Sequence, residues 1–203
     1  MAVKSKWVDA RQTVLDSAIA EFARKGYSGT SIDDILSATH LSRPTLYYYF
    51  QSKSGLFRAI VDYAFDECLG LMQDAASQAN TCQARLCAVA EALFGFAQSH
   101  HSLMRIVLSA VFAAPEEIPP ECIDLQKRRR NFEFVLGIIQ DGLRSGELDS
   151  TFEATELANG IFGAISHQTR MHLLDPQGQL DRQRAERVVT LFLNGARKLK
   201  RKS

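Results

Sequence analysis

Apolar residues recur every three or four positions through nearly all of this 203-residue chain, and no segment alternates in the manner of a strand. That periodicity leaves an all-α fold as the expectation. Leu15, Ala18, Ile19 and Phe22 form the apolar stripe of a first helix predicted from about Val8 to Lys25. Arg24 and Lys25 suit its negative end, and Gly26 supplies a left-handed cap. Thr30 with Asp33 predicts the capped start of a short second helix. Ser42 reads as the N-cap of a third, with Pro44 in the first turn, where a missing N–H costs nothing. Ser52 then caps a long fourth helix that carries Leu56, Phe57, Ile60, Val61, Ala64, Phe65, Cys68 and Met72. Two short helices joined by a tight turn, behind a longer one, make a helix-turn-helix arrangement.

The rest of the chain also reads as helices: Gln83 to Ser99, Leu103 to Ala113, Pro120 to Arg144, Ser150 (capping with Glu153) to Leu174, and Asp181 to Lys200. The breaks fall at "APEEIPP", "SGELD" and "DPQGQ". With 46% apolar and 23% charged residues the composition is that of a globular protein with a buried core, and the net charge of +1 gives no hint of nucleic acid. The distribution does. Thr39 to Arg58 holds Arg43, Lys53 and Arg58 and no acid; Gly195 to Ser203 is also basic and acid-free, but reads as a frayed helix end rather than a nucleic-acid contact. Cys68, Cys82, Cys87 and Cys122 form no CxxC pair, and the histidines lack ligand spacing, so reduced thiols and no metal site are expected. No nucleophile elbow, phosphate loop or paired catalytic carboxylates appear, which argues against an enzyme and against a bound cofactor. No apolar run is long enough to span a membrane, and no signal core is seen, so a cytoplasmic location is expected.

The stretch "HLSRPTLYYYFQSK" (His40 to Lys53) carries the sharpest functional signal. At ~100° per residue, Leu46 and Phe50 fall together and must be the core side. Tyr48 then points away from them, Tyr47 and Tyr49 flank it, and Arg43, Pro44 and Thr45 share the outward surface. The plain alternative is a row of phenols covering the rim of a small domain. The functional one is a surface for DNA: phenol hydroxyls donate to phosphates, rings pack on sugars and thymine methyls, and Arg43 reaches a guanine edge.

From Arg11 to Phe65, through "AIAEFARKGYSGTSIDDI" and "LSRPTLYYYFQSKSGLF", the chain resembles the N-terminal DNA-binding domain of TetR-family transcriptional regulators. The resemblance implies a helix-turn-helix proper at 31–50 within a DNA-binding domain at 8–55. A helical effector-binding and dimerisation domain would occupy 56–203. Carried over by position, the DNA-contacting set is Ser31, Arg43, Pro44, Thr45, Tyr47, Tyr48, Tyr49 and Lys53. His40 departs from the family pattern, standing where the turn usually has a glycine in the left-handed conformation; a non-glycine there costs roughly 1–2 kcal/mol. Gly55 departs too, where an acid commonly comes after the lysine.

The resemblance further implies a homodimer closed by the last two helices of each chain, for which Gly160, Gly163, Ala164, Val188, Phe192 and Ala196 are candidates; an intrachain core is the alternative. It also implies a pocket for a small-molecule effector among the middle helices. Phe94, Met104, Phe112, Phe134 and His167 are the candidate lining, which suits an apolar or aromatic ligand. "QKRRR" (Gln126 to Arg130) reads as a solvated helix face, with a second nucleic-acid patch as the alternative. The expectation is therefore a dimeric regulator, most plainly a repressor, that releases double-stranded operator DNA when it binds its effector. An adaptor that keeps the fold without operator affinity is the competing reading, motivated by His40.

Overall fold

The computed structural model describes residues 2–114, 116–175 and 177–195, with side chains described from Ala10 onward. Among them the chain forms nine α-helices and one 3-10 turn: α1 (Ala2–Gly29), α2 (Ile32–Ser37), α3 (Arg43–Phe50), α4 (Lys53–Ser77), α5 (Cys82–Ser99), α6 (His101–Phe112), the 3-10 turn Pro120–Cys122, α7 (Leu125–Arg144), α8 (Ala154–Leu174) and α9 (Arg182–Gly195). The all-α expectation holds, and none of the described helices is long and apolar enough to cross a membrane.

The chain divides into two compact units. The first joins the segment through Ala64 to His100–Leu125, so α6 and the loop after it belong with the helix-turn-helix. Its core comprises Val14, Leu15, Ala18 and Phe22 of α1, Ile35 of α2, Leu46 and Phe50 of α3, the start of α4, and Leu103, Ile106 and Val107 of α6, all buried. Phe22 meets Phe57 edge to face at 5.0 Å, and Tyr27 meets the same ring at 5.1 Å, so three rings tie α1 to α4. Gly26 sits at φ 74°, the expected left-handed position, where α1 kinks before a last short turn.

The second unit joins Phe65–Ser99 to the chain from Gln126 onward. In it α5 packs on α8 and α9, and α8 on α9. Gly160 is a notch for Phe192: a Cβ there would lie 2.6 Å from that ring. Phe132 and Phe162 meet edge to face at 6.1 Å. The basic run opening α7 stays at the surface, but three of its charges are paired. Arg130 pairs with Asp66 of α4 at 2.8 Å, Lys127 pairs with the same carboxylate, and Arg129 pairs with Glu133. The four cysteines are unbonded, three of them buried. Burial pushes the Cys68 thiol up to about 12 and Cys82 to about 11, so both stay protonated and poorly reactive.

Several helix starts differ from expectation, α1 beginning at Ala2 rather than about Val8 and α6 at His101 rather than Leu103. The second helix is capped by Ser31 and Asp34 rather than Thr30 and Asp33. The Ser31 hydroxyl accepts from the Asp34 amide at 3.0 Å, and the Asp34 carboxylate accepts from the Ser31 amide at 2.7 Å. Thr30 is buried, with its hydroxyl donating to the Gly26 carbonyl that the kink exposes. The eighth helix begins at Ala154, where Glu156 accepts from the Glu153 amide at 3.0 Å. Ser150 lies in the preceding turn instead. Pro120 starts only the 3-10 turn, and α7 begins at Leu125, because Ile123 between them is extended (φ −129°, ψ 120°) and interrupts the helix.

Candidate nucleic-acid interface

The α3 helix is eight residues long and its faces are sharply divided. The Ser42 hydroxyl caps it, accepting from the Thr45 amide at 3.4 Å, and Pro44 occupies the first turn as expected. Leu46 is 0% exposed and Phe50 5%, whereas Tyr48 is 76% exposed and Tyr47 41%. Tyr49 is half-buried and stands edge-on to Tyr48 at 5.1 Å. Pro44, Thr45, Tyr48 and Tyr49 line a shallow, largely apolar depression on the outward side. The rod anchored on one side and lined with phenols on the other is thus present. An aromatic, weakly polar surface of this kind suits sugars, thymine methyls and phosphate oxygens.

The charged members of the expected set have more particular surroundings. Arg43, first residue of α3, donates from Nε to Asp33 Oδ1 at 3.0 Å and from Nη2 to Asp33 Oδ2, while both side chains remain exposed. The segment free of acids in sequence is therefore met by an acid in space. Lys53 opens α4 with its Nζ 4.4 Å from the centre of the Tyr27 ring, a cation–π contact, and burial lowers its pKa. Tyr27 itself is pushed up to about 12, chiefly by burial. Ser31 is exposed and serves as a cap. Asp34, the other half of that cap, also binds Lys25 at 2.5 Å; Lys25 and Ser31 together hold its carboxyl well below the usual carboxylate range. Sequence reasoning missed Asp33 as the partner of Arg43. The signal was two adjacent aspartates at the start of α2, of which a capping box can employ only one.

His40 carries no left-handed strain. Among the described residues the only non-glycine with positive φ is Gln51, at 63°, so the cost expected at His40 is absent there. The turn before α3 is built from hydrogen bonds instead. The Thr39 amide and hydroxyl both donate to the Leu36 carbonyl, and the same hydroxyl accepts from the Leu41 amide at 3.2 Å.

Of the expected effector set, Phe94 is fully buried in α5, Met104 and Phe134 are partly buried, and Phe112 and His167 are exposed. Phe94, Phe134 and His167 belong to the second unit, Met104 and Phe112 to the first. A cavity of about 610 Å³ in the second unit is lined by other residues: alanines of α4 and α5 with Cys87, Glu91, Arg182, Glu186 and Thr190 around them. Of the expected dimer set, Gly160 and Phe192 meet each other within the chain, Gly163 is exposed, and Ala164 and Val188 are partly buried. Ala196 lies outside the described residues.

Residues 14–60 match the family model described as bacterial regulatory proteins, tetR family. Over 56 residues the chain is 38% identical to the biofilm operon icaADBC HTH-type negative transcriptional regulator IcaR of Staphylococcus aureus, a match covering 28% of this chain. The chain spans 30% of that relative's length. The fold is shared more widely. A transcriptional regulator FadR from Bacillus subtilis, solved with stearoyl-CoA, superposes with a TM-score of 0.81 at 18% identity, covering 92% of this chain and 99% of that one. The fatty acid degradation regulator FadR from Bacillus halodurans superposes with a TM-score of 0.82 at 16% identity, covering 94% and 97%. Over residues 14–60 the chain is thus similar to the tetR family of bacterial regulatory proteins, and over nearly its whole length it shares the fold of the solved regulators.

Proposed function

We propose that this protein is a sequence-specific DNA-binding regulator, a repressor that works as a homodimer and leaves its operator when a small apolar molecule binds. The observation that carries this reading is the divided α3 helix, with Leu46 and Phe50 sunk into the core and Arg43, Pro44, Thr45, Tyr47 and Tyr48 turned outward. Ser31, Tyr49 and Lys53 complete the proposed contact set. Two copies would set their α3 helices in successive major grooves, about 34–36 Å apart, on a roughly palindromic site.

The dimer face proposed is the outer side of α8 and α9. Gly163 there lets backbones approach, and Met171, Leu174 and Leu191 are apolar and exposed, at 45%, 79% and 78%. Such a stripe on two adjacent helices fits a four-helix closure with its twin. The effector would sit among the helices of the second unit, with Phe94, Phe134 and His167 as proposed lining. The fold shared with a FadR solved with stearoyl-CoA favours an apolar class of effector. Binding would tilt α4, whose residues begin in one compact unit and end in the other, and so spoil the spacing of the two recognition helices. A coupling of about 1–3 kcal/mol gives a several-fold to hundredfold loss of affinity.

The test is selection of duplexes from a random pool, then a salt-titrated binding assay on the selected site and on unselected DNA. Specific binding well above the salt-sensitive background is expected. A Tyr47/Tyr48/Tyr49 triple alanine variant that stays folded should lose most of it. Equal affinity for selected and random duplexes would end the repressor reading in favour of an adaptor.

A further inference from the structure

The two aspartates at the start of α2 are put to different uses. Asp34 faces α1, where Ser31 and Lys25 hold it. Asp33, one residue earlier and so about 100° round the helix, faces the start of α3 and takes the Arg43 guanidinium in a fork: Nε to Oδ1 at 3.0 Å, Nη2 to Oδ2. A guanidinium has five N–H groups on a rigid plane. The fork occupies the side edge, formed by Nε and one hydrogen of Nη2. It leaves the end edge, with one hydrogen from each Nη, as a parallel pair. That pair is the geometry that reads O6 and N7 of guanine.

We propose that Asp33 is a specificity-determining positioning residue, which holds Arg43 edge-on for a guanine and keeps it from closing on a phosphate. The proposal rests on the DNA-binding reading above. Its physics is that of competition. An unrestrained arginine at a helix N-terminus beside a duplex binds phosphate oxygens well, because the fork that fits a carboxylate fits a phosphate too. Such a contact holds every sequence alike. With the side edge taken by Asp33, a phosphate is left only the end edge, where its full negative charge sits close to a carboxylate and is repelled. A guanine edge carries no net charge and meets far less of that repulsion. Asp33 thus weakens the wrong contact and leaves the right one, which is how discrimination is gained without new attraction. As an exposed ion pair, 55% and 67% accessible, it contributes little to folding itself, so its removal can be read in DNA binding.

The experiment uses the full chain. Duplexes selected by the wild-type protein define its site, and Arg43→Ala identifies the base pair whose preference depends on Arg43. Asp33→Asn and Asp33→Glu are then measured on that site, on the site with that base pair replaced, and on random DNA, across a salt series. Asp33→Asn is expected to melt like wild type and to bind random DNA more tightly. Its salt slope should steepen by about 1, for one more phosphate contact, and its guanine preference should fall roughly five- to tenfold. Asp33→Glu, which keeps the charge, should restore part of the preference. If Asp33→Asn keeps both the wild-type preference and the wild-type salt slope, the proposal is overturned. It is also overturned if Arg43→Ala changes no base preference while specific binding persists, an outcome that leaves the repressor reading standing. Failure of the wild type to select any site would remove both.

Discussion

Between α2 and α3 the chain reverses with no residue at positive φ, whereas between α3 and α4 it turns on Gln51 at φ 63° and ψ −35°. The first turn is held by side chains: Ser37 donates to Asp34, Thr39 bridges Leu36 and Leu41, and Ser42 caps α3. The second is held by backbone. The Ser52 amide donates to the Phe50 carbonyl at 2.7 Å, closing a three-residue γ-turn with Gln51 at its centre, a strained form. Gly55 suits the first turn of α4 by lacking a side chain, since a Cβ on it would fall 2.1 Å from that same Phe50 carbonyl. The chain can therefore reach a tight corner by committing polar side chains or by accepting backbone strain. Here the strain lies on the side of α3 that sets its angle to α4.

The largest effect that would break this contrast is at Gly55. In an ordinary helix position Gly→Ala gains about 1 kcal/mol. Here Gly55→Ala should instead destabilise by about 1–3 kcal/mol, because the added methyl meets backbone; denaturant unfolding reads the sign. Gln51→Gly comes next. Relief of the left-handed cost, less the added chain entropy, should leave a gain of up to about 1 kcal/mol in the same assay. His40→Gly should do the opposite. With no positive φ to relieve, it only loosens the unfolded chain and costs about 0.5 kcal/mol; a gain there would put strain back in the first turn. The smallest effect concerns acid. The Asp34 carboxyl, depressed in the fold by Lys25 and Ser31, stabilises the folded state above about pH 4. That contribution fades as pH falls through the folded pKa. Thermal melts of wild type should drop on acidification below about pH 4 more steeply than those of Asp34→Asn.

The α3 face was legible because two apolar residues four apart fix a rotation, and the rotation places every other side chain on eight residues. Glycine at 26 was equally legible, as a cap after two basic residues. What could not be read were contacts set by the meeting of distant segments. Nothing local distinguishes Asp33 from Asp34 until α3 is placed. Nor does spacing reveal that Gly160 makes room for Phe192 inside one chain, since small residues serve a partner helix equally well. Basic runs are similarly ambiguous: "QKRRR" acquires a role only when Asp66 of α4 is found opposite Lys127 and Arg130. Left-handed strain falls at Gln51 rather than at His40 because the Thr39 hydroxyl does in the first turn what a glycine's freedom would otherwise do.

Because α6 packs on α1 and the loop after it belongs to the same compact unit, the helix-turn-helix end of this protein is not a cassette. The polypeptide leaves it after Ala64 and returns at His100. A chimera spliced just past α3 would strip Leu103, Ile106 and Val107 from their neighbours and present a greasy flank to water. Transplanting this unit onto another protein therefore calls for two junctions rather than one, with the returning helix carried along as part of the graft.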